Sequence, residues 1–315
     1  MLYNNCMFKS IKLSNKWFLI GLFAVLIAAP NATVTKYITS SLDPFVYTAL
    51  RFGLIAIVSS PFIVFSYKKF TAKNLHYALT VGALMSIAVI VYVWAIKLSQ
   101  ASYISIITLL TPIIFVLFSA KLTGEKIKMR GIAGITLAAL GAFTIVALPI
   151  ALQQNANVQF YPLASALALI NTITFPLAII YSKKANQAGL PLMSIFSVSS
   201  WVVLLVSAVC VVFFASNTDV TLTPGLVLAI GYSGIIVALI ARMLNVASYE
   251  HIGSAVSSAL YYTETLLAIL IPVIILGEKL SIEMVAGGCL ILAGVYLAEH
   301  HKSRHYKHFI SFKNH

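Results

Sequence analysis

Four residues in this chain are of a chemically active type and stand inside, or at the end of, long apolar runs: Glu264, Arg242, Arg51 and Lys36. An ionisable side chain in such a run is costly, so each is a candidate by default, and its depth decides how strongly. Glu264 lies about ten residues in from Ser254, or about 15 Å at 1.5 Å per residue, close to the middle of a membrane span. A short carboxylate at that depth reaches neither interface, so it is protonated, paired or facing a wet cavity. The alternative is a purely structural hydrogen bond. Ser258 and Tyr261 precede Glu264 at three- to four-residue spacing and share its helix face as one polar stripe.

Arg242 sits about six or seven residues from the end of its run, a depth that allows snorkelling, a salt bridge to Glu264, or a role as ligand for a substrate carboxylate. Arg51 lies at a similar depth below the opposite interface. Lys36 ends the first run and reads first as an interface anchor. If Arg51 or Lys36 faces a cavity, an anionic or zwitterionic substrate is favoured. Breaks are expected at Pro30-Asn31, Pro112 and Phe175-Pro176, as gates or as packing kinks, because proline frees carbonyls that cavity water or neighbours must satisfy. Asn171, Tyr92, Trp94 and Tyr262 are secondary lining candidates.

The elements that position these residues follow from composition. Of 315 residues, 60% are hydrophobic and 9% charged, and the mean hydropathy is +0.97. That leaves too little polar surface for a soluble globule, so the chain is read as an all-α membrane protein. Ten runs are long enough to cross the hydrocarbon: Trp17 to Tyr37, Pro44 to Tyr67, Leu75 to Ile96, Ala101 to Ala120, Gly131 to Ile150, Phe160 to Ser182, Leu190 to Ala215, Pro224 to Tyr249, Ser254 to Leu276 and Ile282 to Ala298. The first resembles a secretory signal behind Lys9, Lys12 and Lys16, but Pro30 after Ala28-Ala29 opposes cleavage, and it is read as a retained helix.

The net charge of +13 is absorbed by topology and not by a nucleic-acid partner. With both termini cytoplasmic, 16 of the 21 Lys and Arg residues fall on the cytoplasmic side, and Lys36, Lys97 and Lys279 fall outside. Cys6, Cys210 and Cys289 have no metal-ligand or disulfide spacing. The tail 301–315, with His301, His305 and His308, is read as a basic cytoplasmic tail against anionic lipid. No cofactor is implied.

Gly124-Glu125-Lys126 recurs as Gly277-Glu278-Lys279, 153 residues later, and the same offset matches Ala133 with Ala286, Gly134 with Gly287, Leu137 with Leu290 and Gly141 with Gly294. It also carries Ser258, Tyr261 and Glu264 back onto Ser105, Thr108 and Thr111, so the fourth helix bears a matching polar stripe. Packing by small hydroxyl residues is the competing account of those stripes. The halves are placed at 1–152 and 153–300. Five helices per half is odd, so the second enters the membrane from the opposite side, as in secondary transporters built from inverted repeats. Gly131, Gly134 and Gly141, with Gly287, Gly288 and Gly294, allow close approach to neighbouring helices or to a second protomer in a homodimer.

The stretch PNATVTKYITSSLDPFVYTALR, from Pro30 to Arg51, is similar to the opening of EamA-type proteins of the drug/metabolite transporter superfamily. Lys36, Pro44 and Arg51 stand at its recurring positions. LTPIIFVLFSAKLTGEK and YTETLLAILIPVIILGEKL resemble that family's two signatures of a proline followed by LGE. The resemblance covers nearly the whole chain. It implies a bundle of ten transmembrane helices in two inverted five-helix repeats, moving small organic molecules. In the ninth run Glu264-Thr265 replaces the family's frequent Glu-Pro, and the proline comes later, at Pro272, so a helix break there is expected to be displaced.

The chain lacks the G-x-x-x-x-G-K-[ST] phosphate loop, which leaves ATP as no direct driver. The expectation is therefore a permease of the bacterial inner (plasma) membrane, with lipid and a small-molecule substrate as its partners. It would work as an exporter or exchanger of metabolites such as amino acids by alternating access, along a pathway of Glu264, Tyr261, Ser258, Arg242, Thr111, Thr108, Ser105, Arg51 and Lys36. A proton-coupled multidrug efflux carrier is the alternative, with Glu264 as proton carrier, and a receptor or channel stands behind it. An enzyme is not expected, since no catalytic groups converge across the runs.

Overall fold

A chain in lipid must satisfy its own backbone hydrogen bonds, and long apolar runs do so by coiling into helices. The computed structural model describes residues 16–123, 129–151, 161–215, 223–249 and 254–299, and every regular element among them is helical. In chain order these are α1 (Lys16–Ser41), α2 (Pro44–Phe65), α3 (Ala72–Leu98), α4 (Ala101–Thr108, then Thr111–Thr123), α5 (Met129–Ala151), α6 (Pro162–Gln187), α7 (Leu192–Phe214), α8 (Pro224–Gly231, Tyr232–Ala241 and Arg242–Tyr249), α9 (Ser254–Leu276) and α10 (Ile282–Glu299). Helices α1, α2, α3, α6, α7 and α8 are long and apolar enough to cross a membrane, six in all; the apolar stretches described in α4, α5, α9 and α10 are shorter. The loop carrying Glu125 and the tail 301–315 lie outside the described residues.

Local chemistry sets the ends. Asp43 accepts from the Phe45 N–H ahead of Pro44 at the start of α2, and Thr71 and Asn74 form a reciprocal capping box at the start of α3. The α6–α7 turn needs Gly189, whose φ of 96° is unfavourable for residues with a Cβ. Asn74 Nδ2 then donates to the Ala188 carbonyl at 3.3 Å and ties that turn to α3.

Helix neighbours follow a two-fold pattern. Helix α2 lies on α7, α4 on α9 and α5 on α10; α3 packs on α6 and α7, as α8 packs on α1 and α2. Each pairing maps onto itself or another under a shift of five helices, which is how the duplication appears in three dimensions. Gly141 and Gly287 make the α5–α10 crossing a backbone contact: a Cβ on Gly141 would stand 2.6 Å from the Gly287 carbonyl oxygen. These glycines are spent on close packing within the chain. Serines seal α2 against α7, with Ser59 Oγ donating to Ser197 Oγ at 3.0 Å and Ser194 Oγ to Ser66 Oγ at 2.9 Å.

Three helices are irregular. Helix α1 breaks at Ala29 and Pro30, and the nearby Ile27 carbonyl accepts from Tyr232 Oη of α8 at 2.6 Å. Helix α4 tightens at Leu109 and Leu110, whose N–H groups bond three residues back, just before Pro112. Helix α8 winds as a π-helix through Tyr232–Ala241. By contrast, α9 runs unbroken through Pro272, so no displaced break accompanies the later proline, and α6 likewise continues through Pro176.

Candidate functional site

The breaks of α1 and α4 and the π-helical part of α8 border one cavity of about 560 Å³. Irregular backbone at membrane depth is tolerated where it is buried in protein or lines a wet space, and π-helical turns gather at functional sites. The cavity runs from Asn31, Arg51, Tyr92 and Glu264 towards Ser182, Lys183, Leu192 and Asn245, that is, towards the α6–α7 turn. Its volume falls within the range of about 300–1,000 Å³ common for small-molecule sites.

Arg51 is buried, with 8% of its surface exposed. Its Nη1 donates to Tyr47 Oη and its Nη2 to Asn31 Oδ1, each at 3.4 Å. Both contacts are longer than the usual N–H···O range of about 2.7–3.2 Å. Nε has no hydrogen-bond partner among the described residues. The surrounding groups hold the guanidinium in place: Tyr47 Oη donates to Ser233 Oγ at 3.0 Å and meets Thr35 Oγ1 at 3.3 Å, and the Arg51 guanidinium carbon sits 6.0 Å from the Tyr47 ring centre and 5.9 Å from that of Phe52. Gly234 lets α8 come close, since a Cβ there would stand 3.4 Å from the Arg51 carbonyl oxygen.

Glu264 also lines the cavity, near enough to Arg242 for their charges to interact. Among the described residues no hydrogen bond or ion pair joins them; Arg242 instead lies over Phe175, 5.7 Å from the ring centre. Tyr92 is within electrostatic reach of both Arg51 and Glu264. Asn171 lines the cavity as well and donates from Nδ2 to the Ala88 carbonyl at 2.9 Å, fixing α6 to α3.

Of the residues singled out from the sequence, Glu264, Arg242, Arg51, Thr108 and Thr111 meet in the cavity. Ser258 and Tyr261 lie on α9, with side chains outside the described part. Two of the pathway candidates are placed elsewhere, as is the secondary candidate Trp94, whose ring packs edge-on against Phe45 with centres 5.4 Å apart. Ser105 is buried in α4, where Oγ donates to the Ala101 carbonyl at 2.8 Å. Lys36 Nζ donates to the carbonyls of Ile96 at 3.0 Å, of Lys97 at 3.1 Å and of Ser99, holding the carbonyl end of α3.

Glu278 completes that arrangement on the other side of the α3–α4 turn. Its Oε1 accepts from the Ala101 N–H at 2.8 Å, and its Oε2 from the Ser102 N–H at 2.8 Å and from Ser102 Oγ at 2.6 Å. Tyr161 sits beside this turn with its ring 5.6 Å from that of Tyr103; burial raises its phenol pKa, and the Glu278 carboxylate adds a smaller upward push. In the sequence Glu278 stands out only as a repeat marker, although a carboxylate recurring in a chain with 8 acidic residues is signal enough to ask what it holds. Asn245, whose buried Oδ1 is unpartnered among the described residues, and Lys183 are not among the pathway candidates read from the sequence. The signal for Asn245 is an amide in an apolar run, three residues after Arg242.

Comparison with known proteins agrees with this architecture. The EamA-like transporter family matches residues 15–147 and again 162–299. A protein of Clostridium kluyveri named "Uncharacterized transporter" is 24% identical over 260 residues, covering 81% of this chain and 83% of that one. A crystal structure titled only as that of a protein superposes with a TM-score of 0.57 at 21% identity, over 90% of this chain and 96% of the other, a likeness of fold.

Proposed function

The chain belongs to the EamA-like transporter family, and on that premise we propose that this multi-pass membrane transporter is a secondary carrier of small organic metabolites, amino acids among them, working by alternating access. One observation carries the reading. The cavity unites the membrane-depth ions Arg51, Arg242 and Glu264 at two helix breaks, and among the described residues its lining extends towards the α6–α7 turn. At the other end the α3–α4 turn is held between Lys36 and Glu278.

In the proposed topology all ten helices span the membrane, with 1–152 and 153–300 as oppositely oriented halves, and both termini face the cytoplasm. Lys183 and Lys184 at the α6–α7 turn then make the open end cytoplasmic. The conformation is inward-facing, and transport exchanges the Lys36–Glu278 closure for one at the other end. The plasma membrane is the proposed location, and export or exchange the proposed direction. Counterflow by the purified protein in proteoliposomes, with pooled labelled amino acids and metabolites, tests this. Saturable, exchange-stimulated uptake is expected; conductance without saturation, or no flux of any compound, refutes it.

A further inference from the structure

Among the described residues, Arg51 is a cavity cation whose surroundings are built yet incomplete. A guanidinium has five N–H donors, and removal from water is costly unless a counter-charge and hydrogen bonds replace it. Arg51 is 8% exposed, its two protein contacts are 3.4 Å long, its Nε is unpartnered, and among the described residues no carboxylate pairs with it. The aromatic rings of Tyr47 and Phe52 and the close backbone of Gly234 fix its orientation without supplying charge.

We propose that Arg51 is the anion ligand of the transport site, taking a substrate carboxylate end-on through the second hydrogens of Nη1 and Nη2, with Tyr47 and Asn31 keeping those groups aligned. The inference rests on the carrier reading above and names the substrate class for that site.

Two considerations select a carboxylate. The end of a guanidinium offers two parallel donors, one from each Nη, that match its two oxygens. The ions at depth, Arg51, Arg242 and Glu264, sum to one positive charge, which one carboxylate neutralises, while Lys183 stands nearer the α6–α7 turn. Phe52, Met85, Val89 and Phe196 line the same space and suit an apolar substituent on the acid. The substrate is therefore a small organic monocarboxylate with an apolar part, and an amino group on it would find Glu264 as its partner.

The test starts from a mixture and lets the protein select. Proteoliposomes loaded with a uniformly ¹³C-labelled bacterial metabolite extract are diluted into unlabelled extract, and exchanged compounds are identified by mass. Their purified acids and the corresponding primary amides are then compared as exchange partners. The expected result is exchange of carboxylates, with each amide at least about 30-fold weaker, the scale for losing one partner of a buried charged pair. Arg51→Gln should lose the acid-over-amide preference, and Arg51→Lys should retain part of it. Exchange confined to neutral, cationic or phosphorylated compounds overturns the carboxylate ligand and leaves the carrier standing. So does an amide that matches its acid, or an Arg51→Gln variant that still discriminates. No exchange of any compound overturns the carrier reading and this inference with it. If Arg51→Gln fails to give monodisperse protein, the wild-type comparison of acid with amide still decides.

Discussion

Glu278→Ala tests what holds the α3–α4 turn. The first N–H groups of a helix have no partner within it, and in α4 those of Ala101 and Ser102 are satisfied from outside, by the two oxygens of one carboxylate. The Ser102 hydroxyl adds a third bond at 2.6 Å. Removing a helix cap costs about 0.5–2 kcal/mol, and hydrogen bonds to a charged acceptor are worth about 1.5–3 kcal/mol each. Because Glu278 is only partly buried and water can replace it, about 2 kcal/mol is a reasonable total. At about 1.4 kcal/mol per decade this corresponds to about 30-fold easier local opening. Hydrogen exchange by mass spectrometry over 100–104 reads it directly, since the two amides bonded to Glu278 lie in that segment. The expected outcome is about 30-fold faster exchange confined to this turn, with Lys279→Ala, an exposed neighbour in the same loop, unchanged. Exchange in Glu278→Ala within twofold of wild type would refute the assignment, as would equal acceleration in Lys279→Ala.

Other perturbations separate packing from transport. Gly141→Val should push α5 from α10 and cost about 1–3 kcal/mol, the usual range for overpacking, seen as a lower melting temperature in detergent; an unchanged melting temperature contradicts the backbone crossing. Tyr232→Phe removes the bond to the Ile27 carbonyl at the α1 break, and a loss of about 1–2 kcal/mol in thermal stability is expected. Glu264→Gln fixes that position as neutral: if Glu264 exchanges a proton during the cycle, wild-type counterflow varies with pH and with an imposed pH gradient, while the variant is insensitive to both. Equal pH profiles would remove Glu264 from proton coupling.

Arg51, Arg242 and Glu264 were legible because an ion in an apolar run is rare, and hydropathy alone exposes it. The helix boundaries were legible for the same reason, and the chain's own caps explain why they fall where they do. Lys36 was visible as a charge but not as a clamp, because its acceptors are backbone carbonyls about 60 residues away, which no side-chain pattern records. The π-helix of α8 leaves only the Ser233-Gly234 pair as a mark in the sequence, which is too common in membrane helices to announce it, and the segment packs against α1 and α2. Pro272 shows the opposite failure. A proline removes one donor, and whether the helix then breaks depends on its neighbours, so a matching residue type in the two halves does not guarantee matching geometry.

The duplication extends the clamp argument to the other half. Glu125 stands 153 residues before Glu278, and Ser254 and Ala255 stand 153 after Ala101 and Ser102, so the carboxylate and the helix start both have sequence mates. Glu125 lies outside the described residues. A carrier that alternates needs a lock at each end, and two locks from one ancestral repeat must act oppositely, because whatever stabilises one closed end disfavours the state that opens it. Glu278→Ala therefore shifts the population towards the state open on the side of the α3–α4 turn, and Glu125→Ala shifts it away. Single cysteines placed at Trp94 and at Ser182, in a background without Cys6, Cys210 and Cys289, report the two ends through a membrane-impermeant maleimide applied from each side. The expected outcome is opposite changes in the ratio of labelling at the two positions, about 30-fold each way if each lock is worth about 2 kcal/mol. Changes of the same sign in both variants would mean that the repeated carboxylates only stabilise the fold, and the exchange of closures between the two ends would have to be carried by other contacts.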